Sequence, residues 1–192
     1  MIRILRIMIF ILCSCASFAG VQSLTNIKSL KVEIQEITYI NNKTKKSEYN
    51  LEFVKPDKFR KDVISPEMNK GEIYIYVGNE KTVYLPFFDQ VTKETTDSEE
   101  NDIISAINYI LNIENRDPEF SQKYYTKKLK YLNLDNGSKI EISNLKTVDN
   151  YLLPFTFDIY EGESKMATLK IKKYSINPSI SDEEFKLKWL TL

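Results

Sequence analysis

The residue types that most often carry catalysis are missing or badly placed. The 192-residue sequence has no histidine, and both cysteines, Cys13 and Cys15, fall near its start. Ser–His, Cys–His and Cys/His zinc sites are therefore excluded from everything beyond position 15. A Ser–Lys dyad or a carboxylate pair would remain, but no G-x-S-x-G elbow exists to expose a nucleophile. The acidic run Asp97-Ser98-Glu99-Glu100-Asn101-Asp102 lacks the spacing and the glycine of an EF-hand loop. It reads instead as the first turn of a helix, where carboxylates meet the positive end of the dipole. Asp182, Glu183 and Glu184 read as a solvated turn. No metal, no cofactor and no enzymatic activity is expected. What the chain does supply is apolar and aromatic surface, with 12 Tyr and 10 Phe. The chemistry within its reach is the holding of an apolar ligand.

Such a ligand must be positioned by strands. Aromatic residues fit a pleated, half-buried surface, and glycine, at 5 residues, is scarce. Residues 28–40 alternate, with Leu30, Val32 and Ile34 on one face and Lys31, Glu33 and Gln35 on the other. After a polar turn over residues 41–46, Tyr49, Leu51 and Phe53 point one way, and Pro56-Asp57 breaks the strand. Phe59 and Val63 mark a third strand. Residues 72–77 and 82–85 form a hairpin around Gly78-Asn79-Glu80. Short turns between consecutive strands imply an antiparallel meander. Residues 86–96 read as a loop.

A helix is expected next. Thr96 and Glu99 have capping-box spacing, and Ile103, Ile104, Ile107, Ile110 and Leu111 form one stripe at helical period. Asn115-Arg116-Asp117-Pro118 stops it, and residues 118–123 suggest a short second turn. Strands then resume. Leu132 and Leu134 pair with Ile140 and Ile142 around Asp135-Asn136-Gly137-Ser138. Tyr151, Leu153, Phe155, Phe157 and Ile159 alternate, residues 166–174 return, and residues 185–190 form a last strand. The expected fold is mainly β with α: a curved, unclosed antiparallel half-barrel of about 9–11 strands, its hollow side partly plugged by the helix. An apolar concavity of that kind is a natural ligand site.

Charge is balanced, with 27 Lys plus Arg against 27 Asp plus Glu. Nothing resembles a nucleic-acid footprint; Lys127, Lys128, Lys130 and Lys139 alternate with apolar residues as a solvated face does. Residues 1–19 read as an export signal, with Arg3 and Arg6 before an apolar run at residues 7–12. Ser17-Phe18-Ala19 fits ordinary cleavage, leaving residues 20–192 as a single domain in the periplasm. Leu12-Cys13-Ser14-Cys15 offers the alternative of a lipobox, which would anchor the chain to a membrane through Cys15. Removal of residues 1–19 takes away two arginines and no acid, so 25 basic against 27 acidic residues leave a net charge of −2.

One stretch carries a resemblance. Phe53-Val54-Lys55-Pro56-Asp57-Lys58-Phe59-Arg60, then Gly78-Asn79-Glu80-Lys81-Thr82-Val83-Tyr84-Leu85-Pro86-Phe87-Phe88-Asp89-Gln90-Val91, resemble the strand break and the following hairpin of the LolA family of periplasmic lipoprotein carriers. The opening, residues 24–30, and the close, Tyr174-Ser175-Ile176-Asn177 with Ile180 and Glu184-Phe185, are similar in order and spacing. The resemblance implies a half-barrel with a helical lid that holds acyl chains and shuttles lipoproteins from the inner to the outer membrane. It implies an inner-membrane ABC-type transporter as donor, an outer-membrane acceptor, and a monomeric chaperone for its cargo. The alternative is a non-carrier lipid-binding or sensor protein of the same fold.

On this reading the apolar cavity is lined by Leu51, Phe53, Phe59, Val63, Ile73, Ile75, Val77, Phe155 and Phe157. The lid is the stripe Ile103, Ile104, Ile107, Ile110 and Leu111. The family's lid-latching arginine is replaced by Lys55, a single point charge rather than a planar fork. Lys61 stands where the family often has an inward tryptophan, which makes the mouth more polar.

Overall fold

A computed structural model describes residues 20–41, 43–95, 102–129, 131–133 and 137–187, and of residues 102–106 the backbone alone. Six strands come first: β1 (Ser29–Ile40), β2 (Lys43–Val54), β3 (Lys58–Ser65), β4 (Ile73–Val77), β5 (Glu80–Leu85) and β6 (Gln90–Thr95). Three helices follow, α1 (Asp102–Leu111), α2 (Ile113–Arg116) and α3 (Pro118–Tyr125). The chain closes with β7 (Tyr131–Asn133), β8 (Ser138–Val148), β9 (Tyr151–Glu161) and β10 (Ser164–Ile176). All ten strands join one antiparallel sheet in the order β6-β5-β4-β3-β2-β1-β10-β9-β8-β7. Its two edges, β6 and β7, do not meet, so the sheet is an unclosed half-barrel.

The register explains which side chains go inside. In an antiparallel pair, directly opposed residues share a face. Leu30 opposes Phe53, Val32 opposes Leu51 and Ile34 opposes Tyr49, while Phe53 opposes Phe59. Across the other half, Leu169 opposes Phe157 and Ile140 opposes Ile159. These residues are all buried and form one inner core against the helices. Register shifts at Glu33/Ile34, Glu48/Tyr49 and Lys165/Ala167 interrupt the central ladders. Bulges of this kind bend a strand and increase its twist, which lets a wide sheet curl around its core.

The structure departs from the sequence expectation at four places. The polar turn of residues 41–46 is shorter than expected, since β2 starts at Lys43 and pairs with β1 out to Ile40. Residues 86–96 are not all loop: Pro86–Phe88 is a 3-10 turn and Gln90–Thr95 is an edge strand on β5. The helical segment is broken, with α1 ending at Leu111 and α3 starting afresh. There Asp117 caps the new helix by accepting from the N–H groups of Glu119 and Phe120, with Pro118 at its first position. Finally, Phe185 closes the 3-10 turn Asp182–Phe185 where the last strand was expected to begin, and residues 188–190 of that strand lie outside the described residues. The proposed cap at Thr96 and Glu99, Leu134 of the expected hairpin, and residues 1–19 lie outside the described residues.

A second, smaller cluster lies on the outer face. Phe185 and Leu187, from the C-terminal segment, cover Ile73 and Ile75, with Tyr84, Val91 and Val54 around them. Lys58 holds Asp182 at 2.6 Å, and the Arg60 guanidinium donates to the Glu184 carbonyl at 2.6 Å. This strap adds a layer on the outside of β3–β5.

Candidate functional site

Beneath α1 the inner face keeps a small hollow of about 40 Å³. Its floor is β1 and β10, through Leu30, Val32, Ile34, Leu169 and Ile171. One wall is Ile140, Leu153, Pro154, Phe157 and Ile159, and its roof is Ile107, Ile110 and Leu111. Tyr174 brings a polar atom to the edge, but its hydroxyl donates to the Pro154 carbonyl at 2.5 Å. The space is thus lined by aliphatic carbon and has no free polar group to hold water. Apolar voids of that kind stay dry.

Two polar devices hold the roof down. Lys55, at the end of β2, is the first. Its Nζ donates to the carbonyl of Leu111, the last residue of α1, at 3.3 Å, and to the carbonyl of Thr25 at 3.5 Å. A cation at a helix C-terminus also meets the negative end of the dipole. Partial burial, with Lys28 close by, holds this ammonium below the usual lysine pKa, although Glu114 acts in the opposite direction.

The second device is Glu114 on α2. It accepts from Ser23 Oγ at 2.5 Å, from the Leu24 N–H at 2.9 Å and from the Tyr125 hydroxyl. Three segments that are distant in sequence are thereby tied at one carboxylate. Burial raises its pKa, but the hydrogen bonds from Ser23, Tyr125 and Leu24, with Lys55 nearby, together outweigh that and hold it below the usual carboxylate range. A carboxyl depressed in the folded state stabilises the fold above its unfolded pKa. That contribution is lost as pH falls from about 4.3 through the lower native value. Protection of the α2 and α3 amides, taken relative to their intrinsic exchange at each pH, should therefore fall over this acidic interval in the wild type. In Glu114→Gln, protection should already be lower at neutral pH and should change less with pH. Equal pH slopes in the two proteins would remove Glu114 as the cause.

Behind these contacts, Tyr124 of α3 is fully buried and donates its hydroxyl to the Leu152 carbonyl of β9 at 2.7 Å. It docks the helical layer directly on the sheet.

The structure sorts the expected site residues into groups. Ile107, Ile110 and Leu111 roof the hollow and Phe157 lines it. The backbones of Ile103 and Ile104 belong to α1, but their side chains lie outside the described residues. Leu51, Phe53, Phe59 and Val63 are buried on the inner face but do not line the hollow; Phe59 meets Tyr76 edge-on at 6.1 Å. Phe155 is half-buried against Tyr174 at 5.2 Å, outside the lining.

Ile73, Ile75 and Val77 are on the opposite face. Their neighbours across the ladder are Asp62, Arg60 and Lys58, whereas Tyr76 and Tyr74 oppose Phe59 and Lys61. Ile73 and Ile75 are covered by the C-terminal strap, and Val77 is 40% exposed. Sequence reasoning missed Leu169, Ile171, Ile140 and Ile159 as lining residues, although their period-two alternation was visible.

Lys61 lies on the inner face, its Nζ 4.0 Å from the centre of the Tyr49 ring and 3.9 Å from Glu36. It covers an aromatic floor with a desolvated cation, whose pKa burial lowers and Glu36 partly restores. One Ser-x-x-Lys spacing exists, Ser143 to Lys146, both exposed in β8 with left-handed Asn144 (φ 56°) between them.

No family model matches the sequence, and no curated protein matches it. Solved structures do match over nearly the whole chain. A DUF1329 family protein from Desulfovibrio piger is 12% identical, covers 87% of this chain and 93% of its own, and superimposes with a TM-score of 0.60. A LolA superfamily protein from Nitrosomonas europaea is 9% identical over 85% and 92%, with a TM-score of 0.59. A putative outer membrane lipoprotein-sorting protein domain from Vibrio parahaemolyticus is 10% identical over 87% and 92%, with a TM-score of 0.56. The fold is that of these LolA-like proteins.

Proposed function

We propose that the chain is an exported carrier, which holds the acyl chains of lipoproteins or lipids on the inner face of the half-barrel and releases them to an acceptor. The observation that carries this reading is the dry aliphatic hollow under α1. At about 40 Å³ it is far below the ~300–1,000 Å³ of a loaded small-molecule site. On this reading an acyl chain enters only when α1 lifts and the hollow widens. Lys55 is the latch of that motion, a single ammonium on two carbonyls rather than an interlocked aromatic contact. Sequestering hydrocarbon supplies ~25 cal/mol per Å² of apolar surface removed from water. Transfer then requires only an acceptor that binds more tightly, such as an outer-membrane receiver downstream of an inner-membrane transporter. Residues 1–19 are the export signal on this reading, and lipidation at Cys15 is the variant that would tether the carrier.

The chain purified after export should carry lipid or lipoprotein detectable by mass spectrometry, and should bind a fluorescent 16-carbon fatty acid. Lys55→Met keeps the length of the side chain but removes its donor. Losing one long hydrogen bond to a charged group is worth ~1 kcal/mol, or about fivefold in the fraction of open lids. Probe uptake should quicken by that factor with little change in melting. A probe bound by neither protein ends the carrier reading. A stoichiometric protein complex with an empty hollow would favour a sensor of the same fold.

A further inference from the structure

The inner face carries a polar station beside the hollow. On β1, Leu30, Val32 and Ile34 form part of the floor, and the next side chain on that face is Glu36, ~7 Å further along the strand. Tyr49 stands across the ladder from Ile34. Lys61 sits on β3, opposite Leu51, and reaches over β2 until its Nζ is 3.9 Å from the Glu36 carboxylate. On the way it covers the Tyr49 ring at 4.0 Å, with the Tyr74 ring at 5.6 Å.

Two donors at this station have no acceptor within the protein. Tyr49 is 1% exposed, yet its hydroxyl has no hydrogen-bond partner among the described residues. Burial raises its pKa, and Glu36 nearby adds to that without reaching hydrogen-bond geometry. The Lys61 ammonium is likewise beyond hydrogen-bond range of Glu36, whose other oxygen accepts from the Thr38 hydroxyl at 3.1 Å. Buried polar groups are nearly always paired, so an orphaned hydroxyl beneath a largely buried ammonium marks a place for an acceptor.

Charge decides which acceptor. Lys61 is faced by Glu36 and Glu72 and by Lys45, so two cations stand against two anions. A free carboxylate or phosphate would meet Glu36 as closely as Lys61. An uncharged carbonyl oxygen has lone pairs for both donors and is not repelled by the carboxylate. The ester carbonyl of an acyl chain is such a group, and it is bonded to the hydrocarbon that an aliphatic hollow suits.

We propose that Lys61 and Tyr49 receive the ester carbonyl of an acyl lipid whose tail lies in the hollow, so that the site distinguishes an esterified chain from bare hydrocarbon. The inference rests on the carrier reading and adds to it a specificity for the head of the ligand.

Displacement of the fluorescent fatty acid tests it, with dodecane, dodecanoic acid and methyl dodecanoate as competitors. Lys61→Met keeps the cover over Tyr49 but removes the charged donor. It should weaken the methyl ester about tenfold and leave dodecane within about twofold, a difference that cancels the competitors' unequal solubility. Tyr49→Phe removes a hydroxyl that the empty protein does not use. It should therefore melt no lower than the wild type, yet weaken the ester about threefold. If Lys61→Met fails to fold, this second variant still decides the matter. Equal weakening of ester and dodecane would overturn the proposal, because the station would then be plain cavity wall. A loss confined to dodecanoic acid would assign the station to a carboxylate and overturn it too. So would a Tyr49→Phe protein that melts lower and binds the ester as before. In each of these cases the wild type still binds the probe and the carrier reading stands; a wild type that binds neither probe nor competitor removes both.

Discussion

Tyr124→Ala should lower stability by ~4 kcal/mol, the cost of emptying a fully buried aromatic site. For a chain of this size that corresponds to a fall in Tm of roughly 8–16 °C. The ring packs edge-on to Tyr125 at 5.5 Å, and its hydroxyl reaches the Leu152 carbonyl at 2.7 Å in a buried position. Tyr124→Phe separates the two contributions. It keeps the ring and removes the donor, which should cost ~1–2 kcal/mol. Urea denaturation of both variants gives the comparison directly. If alanine proves no costlier than phenylalanine, the ring does not fasten the helical layer, and the docking of α3 rests on Glu114 instead.

Ile110→Asp is the substitution that distinguishes a lid from ordinary core. Ile110 is 4% exposed and faces the hollow from α1. Removing the aliphatic side chain alone costs ~2–5 kcal/mol, and a carboxylate in a dry hollow adds to that. A lid can relieve the strain by lifting, so that the new charge meets water while β1, β10 and β9 stay paired. Hydrogen exchange should then show α1 to α3 losing protection while the amides of β1 and β10 keep theirs. Dye that binds exposed apolar surface should brighten, and affinity for the fatty-acid probe should fall at least about tenfold, since the roof no longer closes. If strands and helices lose protection together, Ile110 belongs to a single cooperative core and no separable lid exists.

Much of the fold was legible because the inner strands alternate cleanly. Leu30, Val32 and Ile34 announce β1, and Phe157 and Ile159 announce β9, since the residues between them are polar or at the ladder's edge. β6 was not legible. Gln-Val-Thr-Lys-Glu-Thr buries nothing, and the strand exists because β5 offers it backbone partners. The faces of β4 were not legible either. Ile-Tyr-Ile-Tyr-Val is apolar at both parities, so either register looks sound. The choice is made by the connection from β3, which sets Phe59 against Tyr76 and leaves Ile75 outside.

The position of the hollow was hidden for a different reason. The inner side of β2 to β4 is filled by the rings of Tyr49, Phe53, Phe59 and Tyr76, whereas β1, β8 and β10 present shorter aliphatic groups that leave space. That contrast depends on which strands become neighbours. By comparison, the proline break after Lys55 and the resemblance were enough to single that residue out, and its ammonium lies on the carbonyl of the last residue of α1.

The C-terminal strap has a consequence in time. Ile73 and Ile75 are made well before Phe185 and Leu187, which cover them. The gap is about 110 positions, so at ~5–20 residues per second the first-made patch waits ~6–20 s for its cover. The same order holds if the chain is threaded through a membrane from its N-terminus. Throughout that interval the half-made protein shows a sticky side that the finished one conceals, and it is then, rather than after completion, that it needs protection from its neighbours.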